Sequence, residues 1–204
     1  GAQLVAIPNS SERSYVIKAW KVADVEISGG AIVGERAGHR GSTGEWGMGI
    51  DILASWRVNV HDLTVSNCWG DGLYVGAMGH PGRALVSSEI TINNVVSTGK
   101  RRQGLSFGPV QRVYVVNSTF SNTHGTKPEA GIDIEPSYQG IASNVRIEHS
   151  TISGNAGSGV ELQPNVTGVV IKSSTIKGNN GFGIYGHGVT NAWFAVNLIT
   201  ENGL

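Results

Sequence analysis

Residues 49–72 read GIDILASWRVNVHDLTVSNCWGDG, and this stretch decides the fold. It opens with a glycine followed by apolar-x-apolar (Ile50, Ile52). Val58, Val60 and Val65 follow before the next glycine, Gly72. Alternation with period two over three to five residues is the signature of a short strand, not of a helix. The glycine-led strand recurs at Gly72, Gly104, Gly131, Gly159 and Gly183. The second pattern recurs as Val25/Ile27/Ile32, Val113/Val115/Phe120, Val145/Ile147/Ile152, Val169/Ile171/Ile176 and Ala192/Phe194/Ile199. Ile90 and Ile92 fit as well, with Ser97 breaking the third position of that copy. The tightest copies place 9 residues from glycine to second anchor and 14 from anchor to the next glycine, a basic repeat of 23.

A 23-residue unit of two or three strands has no partner for its apolar face within itself. Stacking successive units about 4.8 Å apart buries that face and pairs the backbone between them. The spacing therefore predicts an all-β parallel solenoid of about seven coils, the first aligned through Val16 and Ile17, spanning 1–204 as a single domain. Asn and Gly between the strands (Asn67, Asn122, Gly154, Gly178, Asn202) mark the turns, and turn geometry is the expected reason for the aligned glycines. Glu201 to Leu204 falls where an eighth coil would start, which reads as a fragment, a longer chain or an end covered by a partner.

Composition narrows the function. Fifteen basic and fifteen acidic residues leave no formal charge, which argues against a nucleic-acid partner and an anionic membrane surface. No apolar run reaches the ~18–20 residues of a membrane span, and no signal-peptide pattern opens the chain. The one cysteine, Cys68, excludes an internal disulfide. Thirty glycines and 39% apolar residues suit a packed, turn-rich chain.

Departures from 23 residues predict loops at 37–46, 76–84, 123–129 and 136–142. All flank the glycine-led strands, so they build walls along one face, and insertions of this kind mark a binding surface. Alternation then assigns the groove floor. One outward row reads Lys18, Asp51, Tyr74, Ser106, Asp133, Glu161, Tyr185, and the next reads Trp20, Leu53, Gly76, Gly108, Glu135, Gln163, His187. Asp133, Glu135 and Glu161 gather on adjacent coils. Two like charges one coil apart repel by roughly 3–4 kcal/mol at an effective dielectric near 20, so a cation, a basic partner or a raised pKa must offset them.

A carboxyl pair with split ionisation is what glycoside hydrolysis requires. Residues two apart on a strand lie about 6.6–6.8 Å apart along the backbone, inside the ~6.5–9.5 Å range of inverting enzymes. Asp133, Glu135 and Glu161 are the catalytic candidates on this reading, and no cofactor is required. Asp51, Asp71, Tyr74, Arg101, Arg102, Lys127, Trp46, Tyr185 and His187 are candidates for holding substrate: aromatic faces stack on sugars, and a planar guanidinium grips anionic groups. The bland readings are plain too. Single outward acids keep a solenoid soluble, Lys100-Arg101-Arg102 reads as a solvated basic turn, and Asp71 suits a turn residue bonding its own backbone.

Several stretches are similar to segments of known proteins: Trp69-Gly70-Asp71-Gly72, Arg101-Arg102-Gln103-Gly104, Ala130 to Pro136 and Asn144 to Ile152. Together with the repeated Gly-Ile-Asp-Ile strands, they cover nearly the whole chain. They resemble the pectate-lyase-like, right-handed parallel β-helix superfamily, including tailspike-like depolymerases of bacteria and phages. The resemblance implies a right-handed coil, a polysaccharide substrate and an extracellular or virion-associated location.

It does not carry residue roles across. Of the polygalacturonase-type motifs only Gly186-His187-Gly188 is present, after its strand instead of before it. The alginate-epimerase signature Tyr-Gly-Phe-Asp-Pro-His is absent. A calcium-dependent lyase acting on a uronate polymer is the alternative, with Asp133, Glu135 and Glu161 as calcium ligands and Arg102 or Lys127 as base. A third reading is a non-catalytic glycan-binding shaft of a tail spike or adhesin, of the kind that forms homotrimers.

Overall fold

A computed structural model describes residues 1–137 and 140–203. Seven parallel strands stack as one sheet: Arg13–Trp20, Trp46–Leu53, Leu73–Gly76, Leu105–Phe107, Ile132–Ile134, Val160–Leu162 and Ile184–Gly186. Each opens one coil of a right-handed parallel β-helix. The remaining thirteen strands form a second sheet that bends around the other two faces, with Trp56–Ser66 and Ser87–Thr98 continuous through the bend. One of the thirteen, Gln3–Val5, lies beside Ala31–Val33 ahead of the first coil; its three residues carry no repeat pattern.

The anchors stack in the expected register. Val25, Val58, Ile90, Val113, Val145 and Val169 form one column, and Ile32, Val65, Ser97, Phe120, Ile152, Ile176 and Ile199 another. Most of these side chains have no accessible surface. Ser97 is explained by its neighbour. Its hydroxyl donates to the Gly104 carbonyl at 2.8 Å, and the Lys100 chain lies in the same space beside Gly72. Lys100 is thus a core residue and not part of a solvated turn. Its ammonium donates to the carbonyls of Val65 and Thr98, and burial lowers its pKa to about 8.

The strand-opening glycines owe their identity to crowding and not to turn geometry. A Cβ on Gly131 would lie 2.3 Å from Ile152 and 2.8 Å from the Gly159 carbonyl, and the other five meet the same kind of obstruction. None of the six has positive φ. Left-handed backbone falls elsewhere, at the expected turns Asn67, Asn122, Gly154 and Gly178. A further left-handed column runs Asp24, Arg57, Glu89, Arg112, Asn144, Gly168, Asn191 down the second face, with ion pairs Arg57–Asp24 at 2.6 Å and Arg112–Glu89 at 2.8 Å. An asparagine ladder, Asn155–Asn179–Asn202, ties three late coils together through side-chain amides. Arg36–Gly38 forms a short 3-10 turn, and among the described residues no helix is long and apolar enough to cross a membrane.

The expected loops flank the site sheet with two changes. Trp46 belongs to a strand, pairing with Arg13, because the second coil's strand extends three residues ahead of its glycine. The 76–84 insertion folds back on itself through an antiparallel bridge between Met78 and Leu85. Positions 138 and 139 of the 136–142 loop lie outside the described residues.

Candidate active site

The outward row of the site sheet stacks in the order Lys18, Asp51, Tyr74, Ser106, Asp133, Glu161, Tyr185. Its central acids are not the solvated residues of a soluble face: Asp51 and Asp133 are only 1% and 2% exposed, and Ser106 is buried as well. Ser106 and Asp133 are met from the side by the turns that enter coils three and four. Trp69-Gly70-Asp71-Gly72 and Arg101-Arg102-Gln103-Gly104 stack on one another as the strands do, Gly72 N–H donating to the Gln103 carbonyl and Arg102 N–H to the Gly70 carbonyl.

The residue just before each glycine therefore forms a second row beside the floor. Asp71 and Gln103 are both fully buried in it. Ser106 Oγ donates to Asp71 Oδ2 at 2.7 Å, and Arg102 Nη1 lies 3.3 and 3.4 Å from the two Asp71 oxygens. The same Nη1 donates to Gln103 Oε1 at 2.6 Å, while Arg102 Nε sits 3.2 Å from Glu45 Oε2. Gln103 Nε2 in turn donates to Asp133 Oδ2. Asp71 is thus the buried centre of a network and not a self-bonded turn residue.

Burial sets the ionisation of the site. It raises Asp71 to about 6, against the opposing pull of Arg102 and the Ser106 hydroxyl. It raises Asp133 to about 8, with the charges of Glu135 and Glu161 adding to the effect and Arg102 opposing it. Burial pulls the Arg102 guanidinium down, yet Asp71, Glu45 and Asp133 together hold it above its ordinary value. The raised carboxyl pKa that the acid cluster demanded is therefore found, on Asp133. Its Oδ1 is buried and has no partner among the described residues.

Asp133 and Glu135 lie where two hollows meet. One of about 590 Å³ runs over coils four to seven, lined by Arg102, Lys127, Glu135, Glu161 and Phe182. The other, about 210 Å³, continues toward coil two past Trp46, Tyr74 and Ser106. Tyr74 needs room that its neighbours supply by lacking side chains: a Cβ on Gly76 or Gly108 would stand 2.6 Å from its hydroxyl. Burial, with the nearby acids Asp71 and Asp51, pushes the Tyr74 phenol up to about 12.

Of the residues singled out in the sequence, Asp71, Tyr74, Arg102, Lys127, Trp46, Asp133, Glu135 and Glu161 are brought together along this groove. Four others are not. Arg101 grips the 37–45 insertion, donating to the carbonyls of Gly44 and Ser42 and lying 3.9 Å over the Trp69 ring. Asp51 is held by Lys18 at 3.3 Å on the second coil, outside both hollows. His187 is exposed beyond the last site-sheet strand. Tyr185 stands past Glu161, its ring 5.5 Å from Phe182, and it is Phe182 that lines the groove. Gln103, Ser106, Glu45 and Phe182 are groove residues that the sequence patterns left without a role. For calcium, the donor set does not converge: among the described residues no three His, Cys, Asp or Glu side chains are placed to hold a metal.

The geometry can be set beside known proteins. The uncharacterized protein YclG of Bacillus subtilis (strain 168) is 32% identical over 170 residues, which cover 76% of this chain and 29% of YclG. This chain thus spans less than a third of that relative. An alginate lyase from Paenibacillus sp. str. FPU-7 superposes with a TM-score of 0.57 at 14% identity, over 90% of this chain and 75% of the lyase. Tailspike protein gp49 of Acinetobacter baumannii bacteriophage Fri1, a capsular polysaccharide depolymerase, gives a TM-score of 0.53 at 18% identity, over 87% of this chain and 39% of gp49. At these identities the likeness is one of fold. Residues 48–203 match the family described as the right handed beta helix region, so three-quarters of the chain carries that family's pattern in the coils seen here, and the chain belongs to it.

Proposed function

We propose that the site sheet binds a polysaccharide and cleaves its backbone, with Asp133 carrying the proton the reaction needs. The observation that carries this reading is the Asp133 carboxyl itself, buried on the groove floor with a pKa of about 8 and an unpartnered Oδ1. An ordinary carboxyl is ionised at neutral pH and donates nothing; this one keeps its proton. The groove also suits a polymer. From Trp46 on coil two to Phe182 ahead of coil seven is about five coil steps, or ~24 Å, with an aromatic ring near each end.

Elimination on a uronate polymer is the first reading, and it is supported by the fold shared with an alginate lyase. A neutral Asp133 would donate a hydrogen bond to the uronate carboxylate and stabilise the charge that develops as the C5 proton leaves. Glu161 or Lys127, both lining the groove, would take that proton; the C4–C5 double bond forms as the C4–O glycosidic bond breaks, and the leaving oxygen is protonated by water. Arg102 is not the base, because it is tied to Asp71, Gln103 and Glu45 and held above its ordinary pKa. Hydrolysis is the second reading, favoured by the cluster of Asp133, Glu135 and Glu161. There Asp133 would protonate the glycosidic oxygen and a neighbouring carboxylate would act as base or nucleophile. Either activity places the protein where polysaccharide is met, outside the cell or on a virion.

The test incubates the protein with alginate, polygalacturonate, capsular and neutral polysaccharides, and follows reducing ends and unsaturated-uronate absorbance together. Elimination gives both signals, hydrolysis gives reducing ends alone, and either is lost in Asp133→Asn. Glycan binding without product in any channel rejects catalysis in favour of a binding shaft, for which a trimer in solution would be the companion finding.

A further inference from the structure

A protonated carboxyl has one oxygen that donates and one that accepts, and only the first can serve as the acid. Gln103 governs which is which. Its side-chain amide is fully buried between Arg102, Ser106 and Asp133. A guanidinium has no acceptor, so the amide atom 2.6 Å from Arg102 Nη1 must be the oxygen. The other end, Nε2–H, then faces Asp133 and can only donate, and its acceptor is Oδ2. The groups that act on Asp133 come from three directions: Glu135 at the end of its own strand, Glu161 on the next coil, and Asp71 with Arg102 from the turns entering coils three and four. These charges set how firmly the proton is held. None of them hydrogen-bonds to either oxygen: among the described residues the only hydrogen bond that Asp133's carboxyl makes is the one from Gln103.

We propose that Gln103 is a positioning residue that makes Oδ2 the carbonyl and Oδ1 the hydroxyl of Asp133. The proposal rests on the reading of Asp133 as the acid and adds the device that aims it. Oδ2 receives an N–H and so carries the carbonyl; Oδ1 has no acceptor among the described residues, so its proton is not held by a competing bond. Arg102 acts one step further back by fixing the amide of Gln103.

Infrared difference spectroscopy of the full chain, below and above the Asp133 midpoint of about 8, tests this without substrate. The C=O stretch of protonated Asp133 is assigned by its disappearance in Asp133→Asn. In the wild-type protein it is expected at the lowered frequency of a hydrogen-bonded carbonyl. In Gln103→Met and Gln103→Leu it is expected to move up to the frequency of a free carbonyl. A merely structural glutamine would alter thermal stability and leave the band in place. A free-carbonyl frequency in the wild type, an unchanged band in a folded variant, or no titrating carboxyl band at all overturns the proposal; the wild-type spectrum decides even if neither variant folds. Full polysaccharide cleavage by Asp133→Asn, with the band behaving as expected, would instead remove the acid role and leave the aimed carboxyl standing.

Discussion

Replacing Asp133 by Asn should make the protein more stable, and increasingly so as pH rises. The folded state holds the Asp133 carboxyl at about 8, whereas in the unfolded chain it ionises near 4. The sign follows from proton uptake. Between these values the folded state binds the proton and the unfolded state does not, so the contribution is full below pH ~4 and is lost as pH climbs through ~8. About four pKa units at ~1.4 kcal/mol each give roughly 4–6 kcal/mol of lost stability across that window. Asparagine has the shape of the protonated acid and can accept from Gln103 while presenting N–H at the Oδ1 position, so it has no such loss. For a chain of this length a change of that size moves the melting temperature by ~10 °C or more. The assay is thermal unfolding of both proteins from acid to alkaline pH. Their melting temperatures should coincide in acid and separate steadily above it. Curves that run parallel throughout would mean that the carboxyl is ionised in the fold, and the acid role would fall with it.

Three further outcomes follow from packing and charge. Gly108→Ala puts a Cβ 2.6 Å from the Tyr74 hydroxyl and should cost about 1–3 kcal/mol by overpacking; the cost should vanish in a Tyr74→Ala background, as a double-mutant unfolding cycle would reveal. Arg102→Met leaves Asp71 buried without its counter-ion and should cost about 3–5 kcal/mol above neutral pH. Because Asp71 protonates near 6, that cost should shrink in acid, and denaturant titrations at two pH values check it. Asn179→Ala removes bonds to Asn155, Asn202 and the Ile152 carbonyl in the buried ladder. A loss of about 2–4 kcal/mol is expected from unfolding curves, and an unchanged midpoint would show that the ladder adds nothing.

The sequence was most informative where a single period controls the outcome. Alternation of two within a strand, combined with a near-constant coil length, places Lys18 through Tyr185 in one row, and no other register buries the Ile/Val columns. It was least informative where a side chain's environment depends on what lies across a turn. Lys100, Arg101 and Arg102 are three consecutive cationic residues with three destinies: the core beside Ser97, a clamp on the neighbouring loop, and the groove. Composition cannot separate them, since each depends on which space the stacked turns leave open. Gln103 carries no charge and sits in no strand, so the outward-row argument passed over it. A signal was nevertheless present. Asp71 and Gln103 occupy the same place, one residue before a strand-opening glycine, on adjacent coils. Polar residues repeated at one phase of a solenoid lie in a line whether or not that phase belongs to a strand.

The charges along the left-handed column of the second face bear on how the chain finds its order of assembly. The coils are close enough in shape that a nascent solenoid could lay down the third against the first and leave one coil looped out. From coil one to coil four the column alternates Asp24, Arg57, Glu89, Arg112. Each coil therefore meets an opposite charge on its rightful neighbour and a like charge on the next but one. Omitting a coil would set Asp24 against Glu89, or Arg57 against Arg112, at a spacing where like charges repel. A pattern that adds little to a finished surface thus works as an address label during growth, telling near-identical layers apart by sign.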